Sequence, residues 1–409
     1  FGPEGNYLHL YAPQFFSERH HTPWGAGINF DGEASRTVRD FFIHNALYWL
    51  DEYRLDGLRL DAVHAIADDS RPDILVELAE AVHQGPGRQR HVHLVLENDH
   101  NAARYLTRGA DGRPRWYSAQ WNDDLHHALH LIVTGESDGY YVDYAQEPMR
   151  HLGRSLAEGF AYQGETSVFR DGEHRGEPSA ALPPVAFANM LQSHDQVGNR
   201  AFGERISELA SPQALRAALS VLLLAPSPPL LFMGQELMTA SPFLYFCELE
   251  GELADSVTAG RRREFARFER FADPASREVI PDPNDPETFR RSRLDWTNLA
   301  EQLHAECYRF HRKLLEIRHR EIVPRLPGAP GGASFELVGG TRYLRVYWRL
   351  GDGSRLTLTA NLGSSEHALT GPGQPAPGSL VFAEPESAST ALGGGCLPPW
   401  SVVWQLETG

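Results

Sequence analysis

Three carboxylates stand where short apolar stretches end. Asp61 follows Gly57-Leu58-Arg59-Leu60, Glu97 follows Val92-His93-Leu94-Val95-Leu96, and Asp195 follows the run Phe187–Leu191. Arg59 lies two residues before Asp61, and His64 and His194 sit beside two of the acids. Alternation along an extended chain puts Arg59 and Asp61 on one side. Charged groups are rarely taken out of water unless they are paired or used. An isolated Arg-x-Asp would as readily be a structural ion pair at a strand end. Two more acids at later strand ends shift the weight towards chemistry. Two carboxylates flanking one bond suit glycosidic cleavage, in which an ionised one attacks the anomeric carbon and a protonated one releases the leaving oxygen. Arg59 would keep Asp61 ionised. Burial at the end of an apolar strand would raise the Glu97 pKa, as an acid needs. Asp195, with His194, would grip sugar hydroxyls and stabilise the cation-like transition state.

Other chemistries find no support. No Ser or Cys occupies a nucleophile elbow, and there is no HExxH pair. His126 and His127 are adjacent, so on a helix their side chains diverge; they read as helix-surface or sugar-contacting groups. No metal or cofactor is expected. Trp24, Trp116, Trp121, Tyr140 and Tyr141 suit stacking on sugar rings, although each alone would equally serve as packing.

The elements that must position these residues alternate. A helix over 35–53, with Ser35 as its cap, precedes a strand over 57–63. Pro72 opens a second helix, and a strand over 92–98 follows. A short strand over 115–121, helices around 124–133 and 145–160, a strand over Phe187–Leu191, a helix over Ala214–Leu224 and a strand over Pro229–Met233 complete the series. Polar, titratable residues at the carboxyl ends of strands are the mark of a parallel α/β domain. No Gly-rich phosphate loop follows any strand, which leaves a nucleotide-binding reading with little support. The best fit is a (β/α)8 TIM barrel that lacks its first three βα units, over residues 1–323. Residues 1–34 read as a long aromatic loop. The chain opens at Phe1 with no Met and no element of its own, and is expected to be a piece of a longer protein. Residues 247–296, with Arg261-Arg262-Arg263, read as a solvated loop, and a helix follows from Leu299 to about Arg320. Pro324, Pro327, Pro330 and Gly331-Gly332 mark a boundary. Beyond it, short alternating strands predict a small all-β, sandwich-like domain over 324–409.

Composition sets outer limits. The 409 residues carry a net charge of −16 and no long basic run, which argues against nucleic acid and anionic membranes as partners. No apolar run approaches the ~18 residues that a membrane span needs. Cys247, Cys307 and Cys396 are odd in number and far apart, and read as reduced thiols of a cytoplasmic protein. Oligomeric state is not legible.

GLRLDAVH (57–64), VLEN (95–98) and SHDQVGNR (193–200) resemble, in order and spacing, three of the four short motifs of the α-amylase superfamily. That resemblance implies Asp61 as nucleophile, Glu97 as general acid/base and Asp195 as transition-state stabiliser. Arg59, His64, Asp99, His194 and Gln196 would be substrate-binding neighbours. The flanking stretches ENDHN (97–101), QWNDDLHH (120–127), TGE (134–136), GYY (139–141), PFLYF (242–246) and FRRSRLDW (289–296) are similar to the malto-oligosyltrehalose trehalohydrolase family. This implies retaining hydrolysis, without a cofactor, of the α-1,4 bond beside the terminal trehalose of malto-oligosyl trehalose. Trp121, Asp124 and His127 then read as contacts to the trehalose side. Ser193 stands where the family usually has Asn, and Glu248 where an Asp is more usual. The first superfamily motif would lie just before Phe1. A glycogen branching enzyme is the nearest alternative, disfavoured by QWNDDLHH and NDHN; a non-catalytic α-glucan-binding segment is the other.

Overall fold

The computed structural model describes residues 7–22, 25–267, 269–369 and 377–408. These form two units. The first runs to Trp121 and takes in Arg175–Pro178 and Val185–Phe187; the second holds the rest of the described chain.

After a one-turn helix, Leu8–Tyr11, the first unit forms an antiparallel hairpin, β1 (Phe16–Thr22) and β2 (Gly25–Ile28), where the sequence predicts loop. Its strands are rich in Ser, Glu, Arg, His and Gly, which hides the strand pattern. Trp24 and the opening Phe1–Asn6 lie outside the described residues. Helix α1 (Ser35–Asp51) buries Val38, Ile43, Ala46 and Leu50. Ser35 is its first residue rather than its cap; the cap position falls to Ala34, at φ 58° with no side-chain bond.

Strands β3 (Gly57–Leu60), β4 (His93–Leu96) and β5 (Ala119–Asn122) follow, each shorter than or shifted from the stretch predicted. β3 and β4 run parallel with Leu60 opposite Leu96, and β4 and β5 with Leu96 opposite Gln120. β3 stops early because Ala62 turns to φ 44°. Gly57 is required by close approach: a Cβ there would lie 2.2 Å from the His93 carbonyl oxygen. Helix α2 (Ile74–Gln84) connects β3 to β4. The Asp73 carboxylate caps it by accepting the Val76 N–H at 2.9 Å, and Ile74, Leu75, Leu78, Ala79 and Val82 form its buried face.

The second unit begins with α3 (Asp123–Thr134) and α4 (Pro148–Ala157). A parallel pair, β6 (Phe187–Met190) and β7 (Pro229–Leu230), flanks α5 (Pro212–Leu224), which is apolar and buried on nearly every side. Arg318 donates to the carbonyl of Leu223, which the end of α5 leaves open, and to those of Pro226 and Ser227 just beyond it. Residues 247–296 are not a loop. They contain α6 (Gly251–Glu264), and Arg261 is buried, donating to the carbonyls of Gly198 and Arg200. Phe265, Phe271 and Ile280 give this segment a small core with Ala201, which explains its order despite its charge.

Helix α7 (Gln302–Ile317) leads to the C-terminal antiparallel sheet. Its strands are β8 (Ser334–Leu337), β9 (Tyr343–Arg349), β10 (Arg355–Asn361), β11 (Ser379–Glu384) and β12 (Ser401–Glu407), in the order β8-β9-β10-β12-β11. Trp348 and Trp404 stack at 5.6 Å, and the Trp348 indole N–H donates to the Leu156 carbonyl of α4. The sheet therefore shares one core with the helices before it, and the two units do not divide at 323/324. The architecture is a partial (β/α) barrel with a C-terminal all-β domain. Among the described residues no helix is long and apolar enough to cross a membrane.

Candidate active site

In the first unit, parallel register sets the ends of three strands level. β3 and β4 both stop at a Leu, so Asp61 and Glu97 occupy equivalent positions one residue beyond, and Trp121 follows the matching residue of β5. The backbones are stitched there. Glu97 N–H donates to the Leu60 carbonyl and Val63 N–H to the Glu97 carbonyl, each at 3.0 Å. The left-handed turn at Ala62 aims its N–H at Glu97 Oε2, 2.9 Å away. Arg59 serves both acids: one guanidinium nitrogen bonds Asp61 and another lies 3.4 Å from Glu97 Oε2. The guanidinium also rests 4.1 Å above the Trp121 ring, which fixes its plane. The Asp61 side chain is 76% exposed and that of Glu97 16%, so one acid faces an incoming molecule and the other is sheltered. Burial is not the only influence on Glu97, contrary to the simplest sequence expectation: an N–H and a cation also touch it.

His64 and Asp99 join this group. The Asp99 N–H points to His64 Nδ1 at 3.4 Å, and Arg175 grips the Asp99 carbonyl at 2.9 Å and its carboxylate at 3.3 Å. Trp116 packs beneath the Arg115 guanidinium, and its carbonyl meets His83 Nε2.

In the second unit, Asp195 lies in the first turn of a short helix, His194–Gly198. Ser193 caps it, its hydroxyl accepting the Asp195 N–H and donating to Gln196 Oε1. The Ser at this family-Asn position is thus a competent cap. His194 Nε2 lies 3.5 Å from Asp195, and both side chains are about half exposed. Gln196 Nε2 reaches Asp123 at 3.5 Å. Glu248 is exposed.

Helix α3 corrects two expectations. Asp124 is fully buried, accepting the Tyr144 hydroxyl at 2.5 Å and the N–H groups of Ala161 and Tyr162 at 2.7 and 3.0 Å. Its carboxylate is taken up inside the unit. His126 and His127 are not on a helix surface; both are buried. His126 donates from Nδ1 to the Leu191 carbonyl and accepts the Tyr141 hydroxyl at Nε2, and burial pulls its pKa down to about 3. His127 packs on Tyr140 at 4.6 Å and Tyr144 at 5.1 Å. A polar-looking helix is buried here because hydrogen bonds and ring contacts satisfy it.

A cavity of about 720 Å³ opens beside Gln196, lined by Tyr140, Tyr141, Arg200, Phe265 and Phe271 among others. Glu136 holds one wall. It accepts His130 Nε2–H at 2.8 Å and both Arg200 nitrogens at 2.8 and 2.9 Å, and these donors keep its carboxyl well below the usual range. Burial pushes the His130 pKa down. Arg200, Glu136, Phe265 and Phe271 were not anticipated. Arg200 ends the SHDQVGNR stretch and the two Phe interrupt a charged segment, which were the signals available.

Strand-end carboxylates on a (β/α) frame define a class, and the chain belongs to the α-amylase superfamily. A crystal structure from Salmonella typhimurium, of a protein assigned provisionally as an alpha amylase, matches with a TM-score of 0.90 and 41% identity, over 100% of this chain and 66% of that one. Within the class, the sequence kinship is with malto-oligosyltrehalose trehalohydrolase. The Mycobacterium tuberculosis protein of that name is 41% identical over 323 residues, 78% of this chain and 54% of that protein. The Deinococcus radiodurans protein of that name is 39% identical, over 79% of this chain and 51% of its own length. The chain thus spans about half the length of the curated relatives it matches. Residues 330–404 match a family described as a domain of unknown function, DUF3459.

Proposed function

We propose that the protein hydrolyses the α-1,4-glucosidic bond next to the terminal trehalose of malto-oligosyl trehalose, with retention, releasing trehalose and a malto-oligosaccharide. The observation that carries this is the single guanidinium of Arg59 serving both Asp61 and Glu97 at level strand ends. In the first step exposed Asp61 attacks C1 of the glucosyl unit, and Glu97 gives its proton to the departing O4 of trehalose. Because Oε2 of Glu97 accepts the Ala62 N–H, Oε1 is the oxygen assigned the proton. In the second step Glu97 takes a proton from water, which attacks C1, breaks the bond to Asp61 and releases the α-anomer. Asp195 and His194 have the role of stabilising positive charge at the anomeric carbon, as the motif resemblance implies. Trp121, His127, Asp99, His64 and Gln196 remain assigned to substrate. Asp124 is reassigned to the internal frame. The cytoplasm is the proposed compartment, in keeping with Cys307, a buried thiol whose pKa burial pushes up to about 12.

The test is product analysis with the full-length protein. Maltotriosyl trehalose should give trehalose and maltotriose, with maltopentaose turned over far more slowly. Equal cleavage of both substrates, or branched products, would refute the assignment.

A further inference from the structure

The C-terminal domain carries a second cavity, of about 360 Å³, within the size range of small-ligand sites. Its lining includes Thr341, Arg342, Asn361, Glu366, His367 and Trp400. None of these belongs to the constellation described above. The walls are held in place. Asn361 Nδ2 donates to the carbonyls of Ser365, Leu397 and Pro398, while its Oδ1 accepts the Gly363 N–H. His367 stacks on Tyr343 at 5.0 Å. Trp400 packs partly on the core, and its backbone sits at φ 49°, a left-handed conformation that a non-glycine residue adopts only when its surroundings impose it. Its N–H is tied to the Gly363 carbonyl at 3.0 Å.

Arg342 is the group this arrangement leaves unspent. Its stem lies against Gly363, where a Cβ would come within 3.0 Å of Arg342 Cβ. Its Nη1 is buried and has no hydrogen-bond partner among the described residues. Arg342, Glu366 and Trp400 share one lining, and a guanidinium, a carboxylate and an indole together match a neutral polyhydroxylated ring. The hydroxyls meet the charged groups and the C–H face meets the indole. An anion is disfavoured by Glu366 and by the net charge of −16.

We propose that this cavity is a second carbohydrate site, holding an α-1,4-glucan chain on the C-terminal domain. The choice of α-glucan rests on the proposed function; the site itself does not.

Maltoheptaose is titrated calorimetrically into full-length protein carrying Asp61→Asn, so that nothing turns over. Arg342→Met should remove one binding equivalent or weaken it at least tenfold. In the Asp61 protein the same substitution should leave kcat on maltotriosyl trehalose within twofold. Its melting temperature should hold, because the buried Nη1 of Arg342 makes no hydrogen bond that the substitution would remove. Glu366→Gln is the independent check if Arg342→Met fails to fold, with the same weakening expected. Unchanged stoichiometry and affinity in the folded variants would overturn the proposal, as would affinity and kcat falling together. Loss of the glucan equivalent with no trehalose released by the Asp61 protein would support this site and refute the proposed function.

Discussion

The backbone N–H of Ala62 donates to the carboxylate of Glu97 across 2.9 Å, tying the residue after one catalytic candidate to the side chain of the other. That bond exists because β3 ends in a left-handed turn at Ala62. With Arg59, it makes the two strand ends one unit of chemistry.

Arg59→Lys tests that unit. Lysine keeps the charge but is a point donor, without the planar fork that reaches Asp61 and Glu97 together and lies flat on Trp121. We expect kcat/KM to fall by about 100-fold or more, roughly 3 kcal/mol of transition-state stabilisation. The change in unfolding free energy should stay below about 1 kcal/mol, since these groups are partly exposed. Steady-state kinetics beside urea denaturation separates the two effects.

Gly57→Ala tests the strand pairing. The added methyl would lie 2.2 Å from the His93 carbonyl oxygen and 2.8 Å from His93 Cβ. Backbone cannot yield as a flexible side chain does, so we expect a loss of about 1–3 kcal/mol. A wild-type urea midpoint would show that β3 and β4 are not packed this closely.

Asp124→Asn separates a frame residue from a sugar contact. The carboxylate accepts three buried donors, and the amide turns one acceptor into a donor facing another donor. A loss of about 2–4 kcal/mol is expected by urea or thermal unfolding. A raised KM with unchanged stability would instead return Asp124 to the substrate.

The buried histidines set an acid limb. His126 has a folded pKa near 3 against an ordinary value of 6.5, because burial disfavours its charged form; His130 and His151 are shifted the same way, also by burial. Below pH 6.5 the unfolded chain takes up protons that the folded one refuses. Stability should therefore be complete above pH 6.5 and fall as pH drops towards 3, by up to about 1.4 kcal/mol per pH unit for each such group. Glu136, whose pKa is lowered, adds its own loss only as pH falls below 4.5. Between pH 6.5 and 4.5 the slope belongs to histidine, and His126→Gln should flatten it. An unchanged slope in that variant would contradict the assignment.

What could be read in the sequence follows from physics that acts locally. Asp61, Glu97 and Asp195 stood out because an apolar run ending in a charge is costly without a purpose. The order of βα units followed from periodicity. The hairpin at 16–28 was invisible because Ser, Glu, Arg and His fill strand positions that carry no apolar alternation. Asp124 was read as a sugar contact, and His126 and His127 as helix-surface or sugar-contacting groups, because the partners that bury them, Tyr144, Ala161 and Tyr162 for the first, arrive from distant sequence. Arg261 looked solvated for the same reason; its carbonyl partners are about 60 residues away.

The central claim is that Asp61 is the nucleophile and Glu97 the acid that later acts as base. It is tested most directly by mass analysis of the peptide carrying Asp61, after the full-length Glu97→Gln protein is quenched while reacting with α-maltotriosyl fluoride. Fluoride departs without an acid, and water lacks its base, so the glycosyl-enzyme accumulates. The account predicts a maltotriosyl adduct on Asp61. Fluoride release with no adduct, or with the adduct on another carboxylate, would contradict it.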